Sequence, residues 1–183
     1  MPVIPVARRR ENPRMRTVRP AEVADKQAVA EVHVRSWQEA YRGLMPDAYL
    51  DGLDPDERAA RYTFGSDDPL RRSTIVSAVD GIIDGFATMG PTRDADLPGS
   101  GEVYAIYVDP GSWGLGVGRL LMEATRSRLS HLGCTQALLW VLEGNGRARR
   151  FYEIDGWVLD DTHRSESRWG VTTNEIRYRR ALP

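Results

Sequence analysis

A chain of 183 residues with a formal net charge of −1 has room for one domain with a full core and no overall basic field that would point to nucleic acid as a partner. Its single cysteine, Cys134, excludes an internal disulfide framework and a multi-cysteine zinc site. No apolar stretch reaches the roughly 18 residues of a membrane span, and the opening MPVIPVARRRENPRMR lacks the continuous apolar region of a signal peptide, so a cytoplasmic chain without a membrane partner is expected.

Residues 1–14 read as a flexible tail and 15–183 as a single domain. The cluster Arg8, Arg9, Arg10, Arg14 and Arg16 is broken by Pro2, Pro5 and Pro13 and has no interleaved aromatics, the pattern of a solvated tail rather than a nucleic-acid contact. A short strand is predicted over 15–19. A helix follows over about 22–42, where Val29, Val32, His33, Ser36, Trp37, Ala40 and Tyr41 recur at three and four and share a face. Gly43 ends it. Pro46 and Pro55 open two further helical stretches, to Leu50 and Arg61. Residues 73–79 and 82–89 are β-branched runs around Asp80-Gly81, a hairpin signal. A loop is expected over 91–101, then a strand over 102–108 that stops at Asp109-Pro110. A glycine-rich turn leads into a helix ending at His131, with Gly133 as its cap. The apolar run 135–142 reads as a buried strand and absorbs Cys134 as a core residue rather than a nucleophile. A helix over 145–155 stops at Gly156, and 157–161 and 175–180 read as the last two strands. Three consecutive strands before a glycine-led helix exclude a doubly wound sheet. They predict an α/β (α+β) fold with a mixed, largely antiparallel central sheet and helices on both faces.

The turn Trp113-Gly114-Leu115-Gly116-Val117-Gly118-Arg119 joins a strand to a helix. Glycines there permit positive φ and close backbone approach. The free N–H groups of the first helical turn and the helix dipole make such a place suitable for a phosphate or pyrophosphate, with Arg119 able to add a charge-assisted bond. No lysine follows the last glycine, so this is not a P-loop. Only Val117 separates Gly116 from Gly118, so it is not the dinucleotide fingerprint either. Taken alone, the turn fits an anion site and a purely structural junction equally.

Val108-Asp109-Pro110 followed by Trp113-Gly114-Leu115-Gly116-Val117-Gly118 resembles motif A of the GNAT N-acetyltransferase superfamily, with Trp113 where the family has arginine or glutamine. Some thirty residues on, Asn145-Gly-Arg-Ala148-Arg-Arg-Phe151-Tyr152-Glu-Ile-Asp-Gly156-Trp157 resembles motif B, with Trp157 in place of phenylalanine. The resemblance implies a GNAT-like sheet whose strand before motif A splays from its parallel neighbour, with the pantetheine arm of acetyl-CoA in the gap. It implies that the backbone of Ile106, Tyr107 and Val108 pairs with that arm, that the amides of Gly114, Leu115, Gly116, Val117, Gly118 and Arg119 hold the pyrophosphate, that Asn145 bonds the pantetheine and that Tyr152 reaches the thioester sulfur.

The reaction implied is direct attack of a neutral primary amine on the thioester within a ternary complex, with acetyl-CoA as co-substrate. The oxyanion would meet a backbone N–H near Ile106 or Tyr107, and the leaving thiolate would meet the phenol of Tyr152. Glu102, at the start of the same strand, is the candidate base, directly or through a water, and His33 is a second. Trp37 and Tyr41 are candidates for the acceptor pocket, whose walls are expected over 37–53 and 160–170. The acceptor itself, a small-molecule amine or a peptide N-terminus, is open, as is a homodimer. The three histidines, the lone cysteine and the lack of a His-Glu-x-x-His pattern give no support to a metal. A non-catalytic acyl-CoA-binding module is the alternative.

Overall fold

The computed structural model describes residues 15–65, 68, 72–168 and 171–183. The tail expected over 1–14 and the pocket residues Trp169 and Gly170 lie outside the described residues. In chain order the elements are β1 (Arg16–Pro20), a 3₁₀ turn (Val23–Asp25), α1 (Lys26–Ala40), α2 (Asp47–Asp51), α3 (Pro55–Ala60), β2 (Ser73–Val79), β3 (Ile82–Pro91), β4 (Gly101–Val108), α4 (Val117–His131), β5 (Gln136–Leu142), α5 (Gly146–Ile154), β6 (Val158–Arg168) and β7 (Val171–Ala181).

The strands form one sheet in the order β1-β2-β3-β4-β5-β7-β6. Every neighbouring pair is antiparallel except β4–β5. Local chemistry sets the elements. Asp80 and Gly81 both take positive φ, 52° and 81°, as a tight two-residue hairpin requires. Asp54 caps α3 by accepting from the Asp56 N–H, with Pro55 in the first turn. On one face of the sheet α1 buries Val29 and Val32 against Val76, Ala78 and Phe86. On the other, Leu121, Met122 and Leu129 of α4 pack with Met89, Val103, Leu139 and Tyr178. The mixed sheet with helices on both faces is the expected architecture.

Between Thr88 and Met89 the β3–β4 register slips. Thr88 faces Ala105 and Met89 faces Val103, so Tyr104 is the extra residue of a β-bulge. The parallel pairing stops at the same point, because only Gly101, Glu102 and Val103 of β4 meet Ala137, Leu138 and Leu139 of β5. Strand β5 continues along β7 as far as Leu142 opposite Glu175. Beyond the bulge the two central strands therefore diverge.

The last two strands are longer than the sequence pattern predicts, 11 residues each against the expected 157–161 and 175–180. The missed portion carries no apolar alternation. It is held by cross-strand polar pairs, Arg164 with Glu175 at 2.6 Å, Ser165 with Asn174 at 2.7 Å and Ser167 with Thr172 at 2.9 Å.

Helix α4 sits hard against the sheet because Gly85 has no side chain. A Cβ there would lie 3.0 Å from Leu121 Cδ1 and 3.1 Å from Val117 Cγ1. Leu121 is fully buried in this contact, so Leu121→Ala is expected to cost about 2–5 kcal/mol. Urea unfolding should show a lowered midpoint at unchanged m.

Candidate active site

The divergence of β4 and β5 opens a cavity of about 760 Å³ that runs from the glycine turn to β7. The ladder on the other side of β4 settles which backbone groups face it. The Asp109 N–H donates to the Asp84 carbonyl at 2.9 Å, so in an antiparallel ladder Tyr107 and Ala105 bond back to β3, while Val108 and Ile106 turn their N–H and C=O groups towards β5. This narrows the predicted backbone set: Ile106 and Val108 face the gap, and Tyr107 reaches the cavity with its side chain alone. The Val108 carbonyl accepts from Ser36 Oγ and from Trp113 Nε1, both at 2.8 Å.

At the glycine turn, Gly114 and Gly116 have φ of 78° and 82°, and a Cβ on either would meet nothing within 4 Å. The first bond of α4 runs from Leu120 N–H to the Gly116 carbonyl at 3.1 Å, which leaves the amides of Val117, Gly118 and Arg119 free of intrahelical partners. The cavity reaches Gly114, Gly116, Val117, Gly118 and Arg119. Leu115 departs from expectation. Its amide turns back to the Ser112 carbonyl at 3.4 Å and its side chain is exposed. Trp113 uses its indole N–H on Val108, and the Arg147 guanidinium lies 3.4 Å above its ring centroid, a cation–π contact that carries a positive charge into the cavity lining. Asn145 accepts the Ala148 N–H on Oδ1 at 3.1 Å. It thereby caps α5 and leaves its amide NH₂ uncommitted by that bond.

Tyr152 lines the gap at 8% exposure. Its ring packs against Phe151 and Tyr178, with centroids 5.3 and 6.3 Å away, and among the described residues no group hydrogen-bonds its hydroxyl. The Tyr41 and Tyr107 hydroxyls meet at 3.3 Å. Burial raises the pKa of all three phenols, so each keeps its proton and can serve as a donor. The tilted rings of Trp37 and Tyr107 lie 6.2 Å apart, and both line the cavity.

Glu102 forms part of the opposite wall at 1% exposure. The Arg93 N–H and Nε donate to it at 2.9 and 3.2 Å, and Arg93 Nη2 makes a closer contact. The expected base is thus a fixed, ion-paired carboxylate. His33 lies on the α1 side, 7% exposed. Its Nδ1 is 2.6 Å from the Tyr62 hydroxyl and its Nε2 has no partner among the described residues. Burial, with a smaller effect from Arg58, depresses its pKa to about 3.

Sequence reasoning missed Arg58, Arg93 and Arg147, Arg58 because it meets Trp37 from a separate helix and Arg93 because it lies in the loop before β4 with no pattern to mark it. Arg147 had a signal: a cation two residues after Asn145 in a chain whose motif A lacks one at Trp113. The expected acceptor walls are narrowed and extended. Of 37–53, Trp37, Ala40, Tyr41 and Met45 reach the cavity, and of 160–170, Arg164 and Glu166 do, while α3 adds Arg58; α2 instead buries Leu50 beside α1, where its carbonyl accepts from Gln38. Cys134 is partly buried against the core, and burial raises its thiol pKa. Among the described residues no three His, Cys, Asp or Glu side chains converge as metal ligands, and no helix is long and apolar enough to cross a membrane.

A family model described as acetyltransferase (GNAT) family matches residues 31–157. The uncharacterized N-acetyltransferase YuaI of Bacillus subtilis is 33% identical over 131 residues, covering 72% of this chain and 74% of that protein. Mycothiol acetyltransferase of Geodermatophilus obscurus is 40% identical over 68 residues, 37% of this chain and only 22% of that protein. Among solved structures, the PaiA N-acetyltransferase of Thermoplasma acidophilum in complex with coenzyme A superposes with a TM-score of 0.72 at 16% identity, covering 92% of this chain and 99% of that one.

The depressed His33 pKa has a consequence for stability. In the unfolded chain a histidine titrates near 6.5, so between pH 6.5 and about 3 the unfolded state binds a proton that the folded state refuses. The stabilising contribution is complete above pH 6.5 and is lost as the pH falls towards 3, with a slope of up to ~1.4 kcal/mol per pH unit. Urea unfolding at pH 7, 6, 5 and 4 should show a shallower decline for His33→Gln than for the wild type; equal slopes would take the acid limb away from His33.

Proposed function

Because the chain belongs to the acetyltransferase (GNAT) family, we propose that it transfers the acetyl group of acetyl-CoA to a primary amine by direct attack in a ternary complex. The observation that carries this reading is the gap between β4 and β5. It has an anion cradle of free amides at one end, a backbone edge turned inward at Ile106 and an unengaged buried phenol at Tyr152.

In this reading the pyrophosphate rests on the amides of Gly114, Gly116, Val117, Gly118 and Arg119, favoured by the α4 dipole. Arg147, held over Trp113, supplies the cation that the tryptophan displaces. The Asn145 amide bonds the pantetheine, which lies along Ile106 and Val108 as a strand would. Acetyl-CoA supplies an activated acyl group as its thioester. The Ile106 N–H stabilises the oxyanion, and Tyr152 donates to the departing sulfur. Glu102 takes the proton lost by the amine through a water, its position fixed by Arg93. Trp37 and Tyr41 border the acceptor.

Saturating acetyl-CoA should stabilise the protein, by about 2.7 kcal/mol at a hundredfold excess over Kd, read as a rise in Tm. Gly116→Asp should abolish that rise, because it sets a carboxylate at the anion cradle. No rise for the wild type would remove the proposal.

Tyr152→Phe keeps the ring packing and deletes the donor. Single-turnover acetyl transfer should fall about a hundredfold while acetyl-CoA affinity stays within twofold. An unchanged rate would assign Tyr152 to packing. Acetyl-CoA binding without turnover of any amine would favour the acyl-CoA-binding module instead.

A further inference from the structure

The charges that line the acceptor end of the cavity do not cancel. Three carboxylates stand there, Glu102, Glu166 and Glu175. Arg93 holds Glu102, and Arg164 holds Glu175 at 2.6 Å with Glu166 at 3.9 Å. Against them stand three further arginines, Arg58, Arg61 and Arg72. Arg61 meets Glu57 at 4.0 Å, but for Arg58 and Arg72 no carboxylate lies within ion-pair distance among the described residues. Each instead rests on an aromatic face, Arg58 5.5 Å over Trp37 and Arg72 4.8 Å over Tyr104. Arg58 is partly buried. A polyamine or other polycation would need free carboxylates in this wall and would meet surplus guanidinium.

We infer that the acceptor is an amine that also carries a carboxylate, as an amino acid does, and that Arg58 binds this carboxylate while the amine reaches the thioester. The inference rests on the transferase reading above. A guanidinium is planar and presents paired N–H donors that match a carboxylate. The Trp37 face attracts it without neutralising it. A half-buried cation lacking a partner is costly until an anion joins it, so the binding energy goes to the ligand that brings one. The position is also correct. Arg58 acts electrostatically on His33, Tyr62 and Tyr107, so its charge is felt along the α1 side of the cavity as far as the residue next to Ile106. His33 adds a second observation: its buried Nε2 is unpartnered at the same wall and can take one hydrogen bond from the bound ligand or give one to it. Arg72, exposed at the rim, extends the positive field outward and draws anions in.

The test is a thiol-release assay on α-amino acids, β-alanine and 4-aminobutyrate, each beside its carboxamide, the α-amino acids also beside their decarboxylated amines and phosphonate analogues. The α-carboxamides have the less basic amines, so chemistry alone favours them over the acids. We expect the acids to exceed amides and decarboxylated amines at least tenfold in kcat/KM. Arg58→Met should bring the ratio to within twofold, chiefly through KM, and Arg58→Lys should retain part of it, with acetyl-CoA affinity unchanged in both. Phosphonates that outrun the carboxylates would overturn the assignment of a carboxylate. Amides or decarboxylated amines used as well as the acids, or a preference that survives in Arg58→Met, would overturn the inference. Should no compound turn over, the same pairs are titrated calorimetrically into the protein with and without coenzyme A. Saturable binding of an acid, lost in Arg58→Met, supports the inference; equal binding of acid and amide, or none, overturns it. A protein that binds these acids but not coenzyme A would sink the transferase reading alone.

Discussion

Everything in the site follows from one interruption of the sheet. The bulge at Tyr104 ends the β4–β5 pairing after three residues, and backbone groups that lose a strand partner must find another. The Val108 carbonyl finds two, Ser36 from α1 and Trp113 from the glycine turn. These bonds tie the helix on one face and the turn before α4 to the same strand end. Arg35 of α1 reinforces the tie through Asp109 at 2.7 Å. The Ile106 groups and the Val108 N–H remain facing the cavity, where a further strand could pair with β4. A continuous parallel pair would have closed the gap and left the glycine turn with nothing to hold.

A split sheet needs fastening elsewhere, and a buried polar network supplies it. Arg177 of β7, 4% exposed, donates to Asp94 and Asp96 in the loop before β4 and to Asp160 in β6, at 2.8–2.9 Å. Asp94 also accepts from Trp140 Nε1 at 3.1 Å. Buried charges of this kind persist only when each has partners, and here the partners come from three separate segments. The network anchors the loop that presents Arg93, and through Arg93 it fixes Glu102. Glu102 is thereby fastened in the last stretch of β4 that still pairs with β5, just before the two strands part.

The other consequence is shelter for the three phenols that line the gap. Tyr41, Tyr107 and Tyr152 are sheltered by aromatic neighbours from α1, β4 and α5, and burial keeps their protons on. His33 obeys the same physics with opposite sign, since burial strips its proton. Fixed neutral donors in such surroundings act more strongly on a charge than they would in solvent, while the guanidinium of Arg58 meets no carboxylate among the described residues and rests on Trp37.

The sequence by itself determined the order of elements, the hairpin at Asp80-Gly81, the cap at Gly133, and the mixed sheet with helices on both faces, because each depends on local φ preference or on apolar period. It also singled out the glycines at 114, 116 and 118 and the pair Asn145 and Tyr152, which are readable as spacings and which all line the one cavity. Only the tertiary structure decided the rest. The bulge at Tyr104 has no signature in an apolar run, so the sequence could not tell that Ile106 and Val108 face the gap while Tyr107 bonds to β3. The polar halves of β6 and β7 carry no period and become strands through pairing across the hairpin. The bond of Arg93 to Glu102, the stacking of Arg147 on Trp113 and that of Arg58 on Trp37 join residues 9 to 34 positions apart, and contacts at that separation are fixed by packing and not by spacing along the chain.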